Sequence, residues 1–235
     1  MTGIMQWLLM SYKNAKSFQV DTNGTLTTSL VSYYKMEDAT DYFSTNNGTN
    51  NSVTFSAWKV NNAGVFNGTS SNINISDDSA LRITGNYSIA FWLNRNASTA
   101  TQRLVNKDNA NDFSWWYSFY IINNQLWWSH NTNQWNTNWD SIATLTSGSW
   151  VHYIFIYDWV NQTVFRDWTQ LAQRAKTVNL IWESTNNLFI WAYWDTTALW
   201  QYLNWNIDEI WIWSKALSSQ ERTDLYNTGS GQTMV

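Results

Sequence analysis

The sequence predicts an all-β fold: a sandwich of two antiparallel sheets, with one short helix close to the C-terminal end. Three observations predict it. Short runs of β-branched and aromatic residues recur along the chain, clusters of Asn, Ser, Thr, Asp and Gly punctuate them, and no long helical pattern separates one run from the next.

The runs that qualify as strands are Leu30 to Met36, Asn72 to Ile75, Tyr87 to Asn94, Arg103 to Lys107, Tyr117 to Ile122, Gln125 to Ser129, Trp150 to Tyr157, Thr163 to Asp167, Thr177 to Ile181, Leu188 to Ala192 and Ile207 to Trp213. Alternation assigns their faces. In Trp150 to Tyr157, one face carries Trp150, His152, Ile154 and Ile156 and the other Val151, Tyr153, Phe155 and Tyr157, so the strand is expected to be covered on both sides. In Ile207 to Trp213, strict alternation groups Asp208 with Ile210 and Ile212 and sets Glu209 on the opposite face. A carboxylate in line with core aliphatics needs a partner. The helix is signalled by Ser218 as N-cap, Glu221 at the reciprocal capping-box position and Gly229 beyond the last turn. Residues 1 to 28 read as a leader or linker, because Asp21-Thr22-Asn23-Gly24-Thr25 is turn chemistry and the alternating pattern starts after it. Residues 29 to 235 are then the domain.

Composition narrows the function classes. At 235 residues and 44% hydrophobic content, the chain can bury one sizeable core. A net charge of -4 with only 13% charged residues leaves no basic stripe for a phosphate backbone, which argues against nucleic acid as a partner. The absence of cysteine excludes disulfides, thiolate metal sites and a thiol nucleophile. The apolar run Ile4 to Met10 has no basic segment before it, so no secretory signal is recognised. No apolar run reaches the roughly 18 residues of a spanning helix, and no membrane insertion is expected.

Several stretches together resemble the laminin G-like branch of the concanavalin A-like lectin and glucanase superfamily. They are Leu30-Val31-Ser32-Tyr33-Tyr34-Lys35-Met36-Glu37, Val65-Phe66-Asn67-Gly68-Thr69-Ser70-Ser71, Asp78-Ser79-Ala80-Leu81 leading to Tyr87-Ser88-Ile89-Ala90-Phe91-Trp92, Ser149-Trp150-Val151-His152, and Ile207-Asp208-Glu209-Ile210 continuing through Trp213-Ser214-Lys215-Ala216-Leu217-Ser218. Their order is the family's and they span roughly residues 29 to 231. The resemblance implies a jelly-roll of two antiparallel sheets whose concave face and rim loops bind carbohydrate. It also implies a structural calcium ion held by Asp208, with Glu37 as a weaker candidate; the alternative is that Asp208 accepts turn amides or pairs with a lysine such as Lys35.

The sequence departs from the family pattern in one direction: tryptophan stands where turn glycine is usual. The cases are Trp58, Trp159, Trp168, Trp191, Trp194, Trp205 and Trp211, in a chain with nineteen Trp and nine Gly. Glycine normally makes up about 7% of residues. A bulky side chain in left-handed backbone costs about 1 to 2 kcal/mol. The reading that accounts for this is a gene in which one stop codon means glycine and has been rendered as tryptophan; a naturally tryptophan-rich sequence is the alternative.

Carbohydrate binding needs aromatic faces and hydrogen-bonding side chains. The segment Gln125 to Asp140 offers both, and the candidate ligand-binding residues are Trp127, Trp128, Asn131, Asn133, Asn136 and Trp139, although alternation turns one of Trp127 and Trp128 toward the core. A glycan-cleaving site needs two carboxylates about 5 to 5.5 Å apart in one cleft for retention, and no strand carries acids at i and i+2. Of the two histidines, His152 is expected in or near the core and His130 in a surface loop. The leading expectation is a non-catalytic carbohydrate-binding or adhesion module, extracellular or exposed on a cell or virion surface, with a glycan or glycoprotein partner and possible homo-oligomers. The alternatives are a structural domain of a virion fibre, capsid decoration or surface layer, and a glycan-cleaving enzyme.

Overall fold

The computed structural model describes residues 18–96, 100–107, 117–130, 141–175, 185–191, 193–195, 198–200, 202 and 204–234. In chain order the strands begin with β1 (Leu30–Tyr34), β2 (Gly48–Asn51), β3 (Thr54–Ala57), β4 (Asn62–Val65), β5 (Asn72–Ile75) and β6 (Tyr87–Arg95). Next come β7 (Gln102–Asn106), β8 (Tyr117–Ile122), β9 (Gln125–His130), β10 (Ser141–Thr144), β11 (Trp150–Tyr157) and β12 (Asn161–Arg166). The last are β13 (Thr169–Ala175), β14 (Leu188–Ile190), β15 (Tyr193–Asp195), β16 (Ala198–Trp200) and β17 (Trp205–Trp213), followed by helix α1 (Ser219–Tyr226).

Two antiparallel sheets hold the fold. One runs β13-β12-β11-β6-β17-β4-β3 with β1 also paired to β17; the other runs β10-β9-β8-β7-β14-β5-β2. Between them lies a core with contributions from both, among them Ile89, Phe91, Phe155 and Ile212 from the first sheet and Ile73, Phe119, Trp128 and Ile190 from the second. The all-β sandwich expected from the sequence is therefore the observed fold. Strands β5, β8 and β11 match their expected bounds. The segment Thr177 to Ile181 lies outside the described residues.

Strand β17 corrects the alternation read from sequence. Its Asp208 pairs with Trp92 and its Trp211 with Ala90, so three steps on β17 match two on β6. The extra residue is a β-bulge, with Glu209 at φ 51. Ile207, Ile210 and Ile212 consequently face the inter-sheet core, while Trp211 and Trp213 face a second cluster on the outside of the first sheet. Asp208 is out of line with the core isoleucines, and it shares the outer side with Glu209. The bulge also marks a change of neighbour: β4 pairs with Asn206 and Ile207, and β1 takes over the same edge at Ile210 to Trp213.

The outer cluster is closed by both ends of the described chain. Phe18 stacks on Trp211 with ring centroids 4.7 Å apart and bridges to Met234. The Trp213 Nε1 donates to the Leu26 carbonyl at 2.7 Å, the Thr22 amide to Asp224 at 2.7 Å, and the Val20 amide to Gln232 at 2.8 Å. Residues 18–28 thus pack as part of the sandwich, whereas turn chemistry alone had placed them in a leader. Helix α1 begins as expected: the Ser218 hydroxyl accepts from the Glu221 amide at 3.3 Å and the Glu221 carboxylate accepts from the Ser218 amide at 2.8 Å. It ends on Asn227 in the left-handed region.

Leu26 is fully buried, so Leu26→Ala is expected to destabilise the domain by about 2 to 5 kcal/mol. Denaturant unfolding measures this; a change below about 0.5 kcal/mol would restore the leader reading.

Candidate functional site

The second sheet turns a set of polar and aromatic side chains away from the core. Its register aligns them in two rows. One row crosses Asn74, Phe189, Asn106 and Ser118. The other crosses Arg103, Tyr120 and Trp127 on β7, β8 and β9. Alternation supplies the pattern, since Phe119, Ile121, Leu126 and Trp128 point inward between them. In the second row the Arg103 guanidinium lies over the Tyr120 ring, 4.5 Å from its centroid, and the Tyr120 and Trp127 rings run within 13° of parallel at 6.2 Å. Arg103 Nη1 also donates to the Ser118 hydroxyl at 2.7 Å, which in turn donates to Asn106 Oδ1. Guanidinium, phenol and indole are thereby fixed in one line across three strands. Arg103 and Tyr120 are buried, and Trp127 at the end of the line is half-buried. Its Nε1 is a buried donor with no hydrogen-bond partner.

The sequence-predicted residues divide accordingly. Trp127 stands on the outward row. Trp128 corrects one expectation: it is 2% exposed, packs against Phe119 at 5.3 Å and Phe155 at 5.6 Å, and donates from Nε1 to the Tyr87 hydroxyl at 3.0 Å. It is a core side chain and has no face left for a ligand. Asn131, Asn133, Asn136 and Trp139 lie outside the described residues. Sequence reasoning missed Arg103, Tyr120, Asn106 and Ser118, although alternation within Tyr117 to Ile122 already sets Ser118 and Tyr120 on one face.

The carboxylates gather elsewhere, on the outside of the first sheet. Asp208 and Glu209 are fully buried. Asp208 Oδ2 accepts from the Val60 amide at 2.7 Å, and Glu209 Oε2 accepts from the Tyr33 hydroxyl. Glu37 is engaged through both oxygens by Asn62, from the amide at 3.2 Å and Nδ2 at 2.7 Å. Asp208 Oδ1 and Glu209 Oε1 have no hydrogen-bond partner. Calcium takes six to eight oxygen ligands, and among the described residues no group of three or more His, Cys, Asp or Glu converges on a metal position. The donor set around Asp208 and Glu37 does not fit that ion; Asp208 instead accepts a turn amide.

Burial pushes the Asp208 carboxyl up to about 8, against the Val60 hydrogen bond and with help from the Glu37 charge. Burial and the charge of Asp208 raise Glu209 well above the usual range. His152 is pushed down to about 3 by burial and by Lys59. Its ring lies 4.9 Å from Trp92 and 6.1 Å from Tyr226, and neither nitrogen has a hydrogen-bond partner. A base with no contact to a nucleophile or an orienting acid lacks the geometry of a hydrolytic triad. The backbone of His130 ends β9, opposite Tyr117, instead of lying in a loop.

Two antiparallel sheets around one core, with an outward face of aromatic and hydrogen-bonding side chains, define a lectin-like β-sandwich. The chain belongs to the laminin G-like group of the Concanavalin A-like lectin/glucanases superfamily, whose profile matches residues 67–221. Similar solved structures include the binding domain of Paraclostridial Mosquitocidal Protein 1, with a TM-score of 0.70 and 14% identity over 87% of this chain and 53% of that one. Domain 4 of AbnA, an extracellular arabinanase from Geobacillus stearothermophilus, in complex with arabinotriose, has a TM-score of 0.63 and 19% identity over 83% and 97%. The binding domain of Botulinum Neurotoxin DC in complex with SialylT has a TM-score of 0.68 and 13% identity over 86% and 52%. This chain spans about half the length of the two toxin binding domains. At these identities the likeness is one of fold. No curated protein sequence matches the chain.

Asp208, Glu209 and His152 shape the pH profile of stability. Asp208 binds its proton more tightly folded than unfolded, so its contribution is full below pH 3.8 and is lost as pH rises toward about 8. Glu209, raised by burial and by the Asp208 charge, adds a loss of the same sign above pH 4.5. His152 is harder to protonate folded, so its contribution is full above pH 6.5 and is lost as pH falls toward about 3. The Asp208 and His152 trends cancel between about pH 4 and 6.5, so with Glu209 stability should fall as pH rises through that window. Asp208→Asn should raise the melting temperature more at pH 8 than at pH 5, and a larger gain at pH 5 would contradict the assignment. Adding calcium or a chelator should leave the melting temperature unchanged; a rise with calcium that Asp208→Asn abolishes would restore the metal reading.

Proposed function

We propose that the chain is a non-catalytic glycan-binding module acting at an exterior surface, and that its ligand stacks on Trp127 at the end of the Arg103–Tyr120–Trp127 row. The observation that carries this reading is that row: the half-exposed Trp127 indole is held parallel to the buried Tyr120 ring, itself capped by the Arg103 guanidinium, so the indole is fixed in place as an aromatic face on which a sugar ring can stack. Family membership supports it, as do two similar domains in complex with sugars, arabinotriose in one and SialylT in the other. The buried acids argue against glycan cleavage, because Asp208 and Glu209 are enclosed in the first sheet and do not face a common cleft. A single platform gives shallow, weak contact, so useful avidity comes from several copies displayed together.

Glycan-array screening followed by titration calorimetry tests the reading. Trp127→Ala should weaken binding about tenfold, equivalent to roughly 1.4 kcal/mol. Trp58→Ala, in a turn of the other sheet, should leave affinity unchanged. Binding that survives Trp127→Ala would move the site elsewhere, and turnover of a bound glycan would replace the module with an enzyme.

A further inference from the structure

The tryptophans of the described chain fall into two groups. Those of the first are seated: Trp128 donates to Tyr87 at 3.0 Å, Trp213 donates to the Leu26 carbonyl at 2.7 Å, and Trp92 is buried with the Lys59 ammonium 4.2 Å from its ring centre. Those of the second group are misplaced by backbone or by exposure. Trp159 has φ 71 and Trp191 φ 77, and they are the only aromatic residues at positive φ among the described residues. For a bulky side chain such a φ is an outlier, whereas glycine adopts it freely. Trp191 also buries an Nε1 with no hydrogen-bond partner.

The hairpin turns give a comparison. Two hairpins whose loops lie within the described residues have two-residue connections. Between β8 and β9 the pairing of Ile122 with Gln125 leaves Asn123 and Asn124, at φ 52 and 64. Between β12 and β13 the pairing of Arg166 with Thr169 leaves Asp167 and Trp168, of which only Asp167 is at positive φ, at 57. A type I′ turn needs both central residues at positive φ, whereas a type II′ turn needs it only at the first. The Asp167-Trp168 turn has the second pattern, so its backbone does not demand glycine at 168, although the Trp168 side chain is 69% exposed. Of the five exposed large apolar side chains among the described residues, Trp58, Trp159 and Trp168 are three.

We infer that the protein made in its own cell carries glycine at positions 159 and 191, through a stop codon read as glycine. Trp58 and Trp168 share the exposure without a positive φ; Trp205 and Trp211 lie buried in β17 without one, and the inference does not extend to them. It is independent of the glycan reading, because neither position lies on the Trp127 row.

The test compares the codons at 159 and 191 with those at 92, 128 and 213, and measures the masses of the matching peptides from protein isolated from its source. The expected result is a stop-type codon and a glycine mass at the first set, and an ordinary tryptophan codon and mass at the second. One codon shared by both sets, or a tryptophan mass at 159 or 191, would overturn it. A recombinant Trp159→Gly variant should melt at a higher temperature than the chain with tryptophan there; a lower melting temperature counts against the inference.

Discussion

The bulge at Asp208 and Glu209 is the constraint on which the rest of the structure depends. Strand β17 pairs with β6 along nearly its whole length, and on its other edge it hands over from β4 to β1. One inserted residue allows this by turning the later half of the strand. Without it, Ile210 and Ile212 would leave the inter-sheet core and Trp211 and Trp213 would enter it. The outer cluster would then lose the two indoles on which Phe18, Tyr33 and Leu26 rest. A one-residue slip in a strand with period two exchanges its faces, so the bulge sets which side of the first sheet the termini can cover.

The same insertion has an electrostatic consequence. It brings two carboxyl groups to one side of one sheet, where burial raises both pKa values and the charge of Asp208 raises that of Glu209 further. The fold tolerates this by giving Asp208 the Val60 amide and Glu209 the Tyr33 hydroxyl. Buried acids in a lectin-like sandwich can thus be structural, and their raised pKa values alone do not indicate catalysis.

Strands β5, β8 and β11 were legible in the sequence to the residue, and β6, β7 and β17 to within one or two residues, because runs rich in β-branched and aromatic residues end at turn residues. Strands β2, β3 and β13 were not, since their residues are mostly half-buried or exposed and their composition is that of loops. The bulge was invisible because alternation assumes an unbroken period. Of the outward row, only Trp127 stood out, since the sequence drew attention to clustered tryptophans. Arg103 and Tyr120 become its neighbours through strand pairing, which lies between segments and leaves no mark within any one of them.

Phe18 and Met234 bridge to each other on the outer face of the first sheet, and the Trp127 row lies on the outer face of the second. The two ends of the described chain therefore meet on the face opposite that row, which they leave clear.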